Sequence, residues 1–122
     1  MTYMPLIDPP RIKVLSVRQP WAWLIVSGQK TIENRTWKTD YRGPIYIHAG
    51  VAMHEMPVSE IEQRFAIKID PSVLQFGSII GRVDLVGIVK QSDSPYFFGP
   101  YGWVLRDPQM ITPIPLRGMQ KL

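Results

Sequence analysis

The stretch Arg11–Trp37, RIKVLSVRQPWAWLIVSGQKTIENRTW, decides the fold because it contains three elements in succession. Apolar and polar residues alternate over Arg11–Arg18, which predicts a β-strand. A helical pattern of apolar residues follows, and Thr31–Trp37 is predicted to be a second strand. The stretch therefore predicts a sheet with a short helix inserted between two of its strands.

The apolar segment between these two strands carries its own start and stop signals. Pro20 suits the first turn of a helix, and Gly28 suits its end. Trp21, Leu24 and Ile25 lie three and four positions apart, so they share one face of the helix. We expect this face to be buried and Trp21 to belong to the core.

The rest of the chain predicts further short elements without regular βα alternation. They are a strand at 44–49, a short helix at 59–66, a further turn of helix within 70–76, a long strand at 78–90, and strands at 103–106 and 114–117. Ser59 and Glu62 have the spacing of a capping box, and Gly81 and Gly87 suggest bulges in the long strand. About six short strands with two or three inserted helices predict an α+β fold, in which a small mixed sheet curls into a barrel.

Length and composition limit the class of protein. The 122 residues fit a single domain at 11–122, preceded by a proline-containing arm at 1–10. Cysteine is absent and only two histidines occur, so the sequence predicts no disulfide, no metal site and no cofactor. No apolar stretch is long enough to cross a membrane, and the first ten residues lack the pattern of a signal peptide. We expect a cytoplasmic protein with no membrane partner.

Positive charge is concentrated in the first third of the chain. The net charge is +4, and residues 11–48 hold seven basic side chains against two acidic ones. Residues 51–77 have the opposite balance, with four acidic and two basic side chains. A basic region of this kind favours a polyanionic partner such as RNA.

The densest group of polar residues is the segment GQKTIENRTW, which begins at Gly28. Strand alternation would place Thr31, Glu33, Arg35 and Trp37 on one face. One interpretation is an exposed Glu33–Arg35 ion pair covered by Trp37. Such a pair contributes roughly 0–1 kcal/mol to the stability of the fold. The other is a binding face, with Lys30 at the preceding turn to neutralise a phosphate or act as a base.

Aromatic residues and one histidine complete the candidates. The loop 94–102 holds four aromatic residues, Tyr96, Phe97, Phe98 and Tyr101, which either plug the end of the barrel or form a lid over a flat ligand. His48 lies between apolar residues of a predicted strand. We expect it to be half-buried and to form hydrogen bonds rather than to act in catalysis.

Several motifs together resemble the ASCH domain family. The segment LSVRQPWA at 15–22 and the pattern Gly28-x-Lys30-x-x-Glu33-x-Arg35 resemble its signature. Segments at 43–49, 81–86, 102–105 and 115–118 also fit, so the resemblance extends from about residue 15 to residue 118. It implies a PUA-like β-barrel with a cleft beside the first helix and a role in RNA metabolism. Some related folds hold a modified base in an aromatic pocket.

The resemblance also implies a possible enzymatic activity. A few ASCH proteins hydrolyse an acylated cytidine with a lysine, a threonine and a glutamate. Lys30 matches the lysine, whereas Glu33 stands at the position of the threonine.

Two main hypotheses follow. In the first, a basic, aromatic-lined cleft binds RNA or a nucleotide-like small molecule. Its residues would be Arg18, Gln19, Lys30, Glu33, Arg35, Trp37, Lys38, Arg42 and Tyr101. In the second, the domain is a small hydrolase of a modified nucleoside or of RNA, with Lys30 and Glu33 as catalytic acid and base and Arg35 stabilising charge. A third possibility is a protein-interaction module that uses the aromatic loop.

Overall fold

The computed structural model describes residues 12–116, so the arm at 1–10 and the residues after 116 lie outside the description. It contains five strands, two α-helices and one 3₁₀ turn. In chain order these are β1 (Val14–Gln19), α1 (Trp21–Val26), β2 (Ile32–Arg35), β3 (Gly43–Met53), α2 (Val58–Phe65), the 3₁₀ turn (Pro71–Val73), β4 (Ser78–Val89) and β5 (Tyr101–Pro115). The predicted strand–helix–strand order of the first stretch is confirmed. No helix within 12–116 is long and apolar enough to cross a membrane.

The five strands form one mixed sheet in the order β1-β3-β4-β5-β2. β1 pairs with β3 in parallel, and the other pairs are antiparallel. The sheet curls into a half-barrel, as the predicted PUA-like α+β fold requires. Its two end strands, β1 and β2, are bridged by a side chain, since Arg35 Nη2 donates to the carbonyl oxygen of Ser16 at 2.8 Å.

One strand replaces two of the predicted ones, so the sequence-based count of six strands was wrong. Residues 103–106 and 114–117 were expected to be separate strands, but β5 runs continuously over Tyr101–Pro115. Pro108, Pro113 and Pro115 all lie within β5. β2 pairs only with residues 101–104 of β5, so the rest of β5 has an open edge where a missing backbone N–H is tolerated.

The main core packs between the sheet and α1. Leu24 and Ile25 are buried, as predicted for this helix. Gly81 allows the helix to approach closely, because a Cβ at this position would lie 2.6 Å from Val26 Cγ1. Gly81 and Gly87 also adjoin shifts of register in β4, which confirms the predicted bulges. A second apolar cluster, around Leu24 and Ile61, joins α1 to α2.

The start of α2 differs from the predicted capping box. The residue preceding the helix is Pro57, and no side chain caps its first turn. Glu62 does not reach back to Ser59. Its Oε2 accepts a hydrogen bond from the backbone N–H of Ile69 at 2.8 Å, so it ties the following loop to the helix.

Candidate functional site

A cleft of about 730 Å³ opens between the two end strands of the half-barrel. The strands β1 and β2 do not pair with each other, and residues of both line the gap. The lining side chains are those of Ser16, Val17, Arg18, Trp21, Lys30, Glu33, Asn34, Arg35, His54, Met56, Arg64 and Phe98. The cleft lies beside α1, where the family resemblance places it.

A triad of charged side chains, Lys30, Glu33 and Arg35, forms one wall of the cleft. Lys30 Nζ lies 3.2 Å from Glu33 Oε1, and Arg35 Nη2 lies 2.8 Å from Glu33 Oε2. Lys30 also donates a hydrogen bond to the carbonyl oxygen of Ile32. The side chains of the three residues are only 4%, 11% and 16% exposed, so this is a buried cluster and not the surface pair of the first interpretation. With Lys30 protonated, two cations against one anion give the triad a net positive charge.

Burial changes the acid–base properties of Lys30. Desolvation lowers the pKa of its amine below the usual value of 10.5, whereas the nearby Glu33 carboxylate acts to raise it. The positive charge of Arg35 adds a smaller lowering effect. The amine therefore releases its proton more readily than an exposed lysine, which suits a base.

Arg35 connects the triad to the opposite strand. Its Nη2 contacts both the Glu33 carboxylate and the carbonyl oxygen of Ser16, so the guanidinium spans the gap between β2 and β1. Its buried Nε has no hydrogen-bond partner among residues 12–116. Leaving a buried donor unpaired costs about 1–3 kcal/mol, which an accepting group nearby would recover.

Two tryptophans exchange their expected places. Trp21 lines the cleft instead of lying wholly in the core, because it is the first residue of α1 and stands at the cleft end of the helix. Its ring packs edge-on against His54 at 5.7 Å and lies 5.7 Å from Lys30 Nζ. Trp37 does not line the cleft. β2 ends at Arg35, so the alternation stops there, and the Trp37 ring packs against Trp103 at 4.7 Å.

The aromatic loop divides between a packed residue and a residue that lines the cleft. Tyr96 is buried and stacks on Phe65 at 4.3 Å, which is a packing role. Phe98 is 58% exposed and lines the cleft. Asn34 of β2 holds the loop, since its side chain donates to Tyr96 O at 2.9 Å and accepts from the N–H groups of Phe98 and Gly99 at 2.7 and 3.1 Å.

The other predicted ligand residues separate into three groups. Arg18 lines the cleft and forms an exposed ion pair with Glu55 at 2.7 Å. Gln19 does not line it, because its buried side chain bonds the backbone of Trp23 and Gln75 and so has a structural role. A separate cavity of about 250 Å³ is lined by a third group, Lys38, Arg42 and Tyr101. The structure thus divides the nine predicted residues between two cavities and the packed interior, because the chain turns away after β2.

Some cleft residues were not identified from the sequence. His54 and Met56 follow the end of β3 and Arg64 lies in α2, so all three reach the cleft through contacts between distant segments. No local motif marks them. His48 has the expected structural role, since it is buried and bonds Ser16 Oγ at 3.0 Å and Leu116 O at 2.6 Å. Within residues 12–116, no group of three or more acidic or histidine side chains could hold a metal ion.

Comparison with curated proteins identifies relatives of the chain. It is 33% identical to human activating signal cointegrator 1 over 129 aligned positions, and 30% identical to the mouse protein over 128. Each alignment covers 88% of this chain but 21% of the relative. The chain thus spans about a fifth of the length of these relatives.

Solved structures and a family model agree with this match. The crystal structures of two point mutants of ZmASCH from Zymomonas mobilis superpose with TM-scores of 0.54 and 0.51, at 24% and 26% identity. They cover 84% of this chain and 74% and 72% of the ZmASCH chains. The model of the ASCH domain matches residues 15–104, which include β1 except its first residue, the whole of β2 to β4, and the charged triad. The chain therefore belongs to the ASCH domain family.

Proposed function

We propose that this domain binds single-stranded RNA or a modified nucleotide in the cleft between β1 and β2. The observation that carries the proposal is the combination of a buried, net positive triad with two aromatic side chains in one cleft. Lys30, Glu33 and Arg35 supply the charge, and Trp21 and Phe98 supply the aromatic surfaces. This pairing of cations with stacking surfaces is what single-stranded nucleic acids require.

The negative charge of the ligand would meet cations at two depths. Arg35 and Lys30 lie in the wall of the cleft, while Arg18 and Arg64 lie at its exposed parts. The ion pairs of the two exposed arginines with glutamates, at 2.7 and 3.9 Å, are open to solvent. Exposed ion pairs contribute only about 0–1 kcal/mol to stability, so a phosphate competes effectively with the glutamate for either guanidinium.

A base would stack on an aromatic side chain at the edge of the cleft. Phe98 is the better candidate, because its exposure leaves most of the ring free for contact. Such stacking contributes about 1–3 kcal/mol per base. Both oxygens of Glu33 already contact cations, so its main role in this proposal is to orient Lys30 and Arg35 rather than to recognise a base alone.

Backbone groups offer a second means of recognising the base. β1 pairs with β3 alone, so its other side faces the cleft. The carbonyl oxygen of Ser16 on that side accepts a hydrogen bond from Arg35. Neighbouring backbone groups of an unpaired strand edge are suited to hydrogen-bond the edge of a splayed base.

Equilibrium binding of labelled single-stranded RNA tests the proposal. We expect affinity to fall steeply as salt rises, because phosphate contacts release counterions. Arg18→Ala should weaken binding and reduce the salt dependence, whereas Arg106→Ala, an exposed arginine outside the cleft, should not. Binding that is independent of salt, or equal for both variants, would contradict a phosphate contact in this cleft.

A hydrolase is a second candidate, favoured by the buried pair of Lys30 and Glu33. An amine with a lowered pKa, 3.2 Å from a carboxylate and inside a cleft, is suited to proton transfer. His54 lines the same cleft and adds a further group for acid–base chemistry. Incubation with an acylated cytidine and with single-stranded RNA, followed by product analysis, separates the candidates. Turnover that Lys30→Met abolishes favours the enzyme, and intact ligands favour the binding domain.

A further inference from the structure

The smaller cavity lies where the chain turns from β2 to β3, against the end of β4 and the start of β5. We propose that it is a second anion subsite, which takes a phosphate of the same RNA strand that occupies the main cleft. This inference rests on the proposed function. Its cationic residues are Lys38, Arg42 and Lys90, and Asp40 is the acidic residue among them.

The charges of this cavity are available to a ligand. Lys38 and Lys90 form no ion pair or hydrogen bond with any residue of the described part of the chain. Arg42 is held in place, because its Nη1 donates to the carbonyl oxygens of Thr39 and Tyr41, both at 2.8 Å. Three cations against one carboxylate in a concave site of about 250 Å³ attract an anion of the size of a phosphate.

The register of the sheet puts this cavity next to the main cleft. Arg35 of β2 and Tyr101 of β5 are directly opposite each other in the antiparallel pair. Opposite residues share a face of the sheet, with Cβ atoms about 4.5–5.5 Å apart. Arg35 lines the main cleft and Tyr101 lines the smaller cavity, so a strand that leaves the cleft past Arg35 reaches the second set of cations.

The expected ligand chemistry is a phosphodiester, which a lysine or arginine binds without regard to base sequence. A single nucleotide that fills the main cleft would not reach the subsite. A longer RNA would occupy both sites and so gain affinity that depends strongly on salt. Each phosphate contact adds about 0.7 to the slope of log affinity against log salt concentration for a single strand.

Charge-matched double variants test this assignment. Lys38→Ala with Lys90→Ala removes two cations of the subsite, while Lys68→Ala with Arg106→Ala removes two exposed cations that line neither cavity. The probes are uridine monophosphate and a single-stranded RNA of about ten nucleotides. We expect the first pair to weaken RNA binding about five- to tenfold and to lower the salt slope by about 0.7, with smaller changes in the control. Both double variants should bind the mononucleotide as the wild type does.

Each remaining outcome has a separate meaning. Equal RNA affinity and equal salt slope for the two double variants, with clear binding by the wild type, would overturn the subsite and leave the main cleft standing. Loss of mononucleotide binding in the Lys38 and Lys90 variant would also overturn it, because the two sites would then be one. Absence of any RNA binding by the wild type would refute the proposed function and the subsite together.

Discussion

Replacing Glu33 with glutamine tests whether the charged triad is a buried unit. The carboxylate contacts Lys30 at 3.2 Å and Arg35 at 2.8 Å, and these side chains are 4% and 16% exposed. Glutamine keeps the shape but leaves two cations together without an anion. Removing one partner of a buried ion pair costs about 3–5 kcal/mol, against roughly 0–1 kcal/mol for an exposed pair. We therefore expect Glu33→Gln to lower the free energy of unfolding by about 3–5 kcal/mol.

Urea unfolding followed by tryptophan fluorescence measures this change. The matched control is Glu60→Gln, whose carboxylate lies 3.9 Å from Arg64 on an exposed part of α2. It should change the free energy of unfolding by less than about 1 kcal/mol. A Glu33→Gln protein that is as stable as the control would refute the reasoning, because the triad would then be solvated. The loss of Glu33 should also lower the pKa of Lys30 further, since the carboxylate is what opposes the effect of burial.

Three other variants probe the helix, the buried amine and the loop. Leu24→Ala should cost about 2–5 kcal/mol of unfolding free energy, because Leu24 is fully buried, and an unchanged melting temperature would contradict its place in the core. The pKa of Lys30 is lowered in the folded state, so the unfolded chain binds more protons and stability rises with pH from the folded pKa up to the usual 10.5. Lys30→Met should remove this rise in urea unfolding at alkaline pH, and an identical pH dependence would count against the buried amine. Asn34→Ala removes the acceptor for two backbone N–H groups, so hydrogen exchange at Phe98 and Gly99 should accelerate, and unchanged protection would mean that the loop is held elsewhere.

Local sequence patterns were sufficient to predict the strand and the turn that bring the triad together. Alternation in β2 placed Glu33 and Arg35 on one face, and the preceding turn placed Lys30 beside them. Helical spacing identified Leu24 and Ile25 as core residues. These predictions succeeded because each depends on residues that are close in the sequence and on a regular period.

Long-range packing determined the features that the sequence did not predict. Trp37 was assigned to the cleft by extending the alternation of β2, but the strand ends at Arg35 and the ring packs on Trp103. Asn34 holds backbone groups more than sixty residues away, and no local pattern indicates such a partner. His54 lines the cleft, where its backbone N–H donates to the carbonyl oxygen of Gln19 at 2.8 Å and its ring packs edge-on against Trp21. Each case depends on where distant segments meet rather than on the period of one segment.

The affinity of the Phe98→Ala variant for single-stranded RNA tests the central claim most directly. Phe98 is 58% exposed, so its removal leaves the fold largely unaffected, and Phe76→Ala, at 43% exposure outside the cleft, is the matched control. If a base stacks in the cleft, Phe98→Ala should weaken binding by about 1–3 kcal/mol. Phe76→Ala should bind as the wild type does. Equal affinity of the two variants and the wild type would contradict the account, because no base would then stack on Phe98 in this cleft.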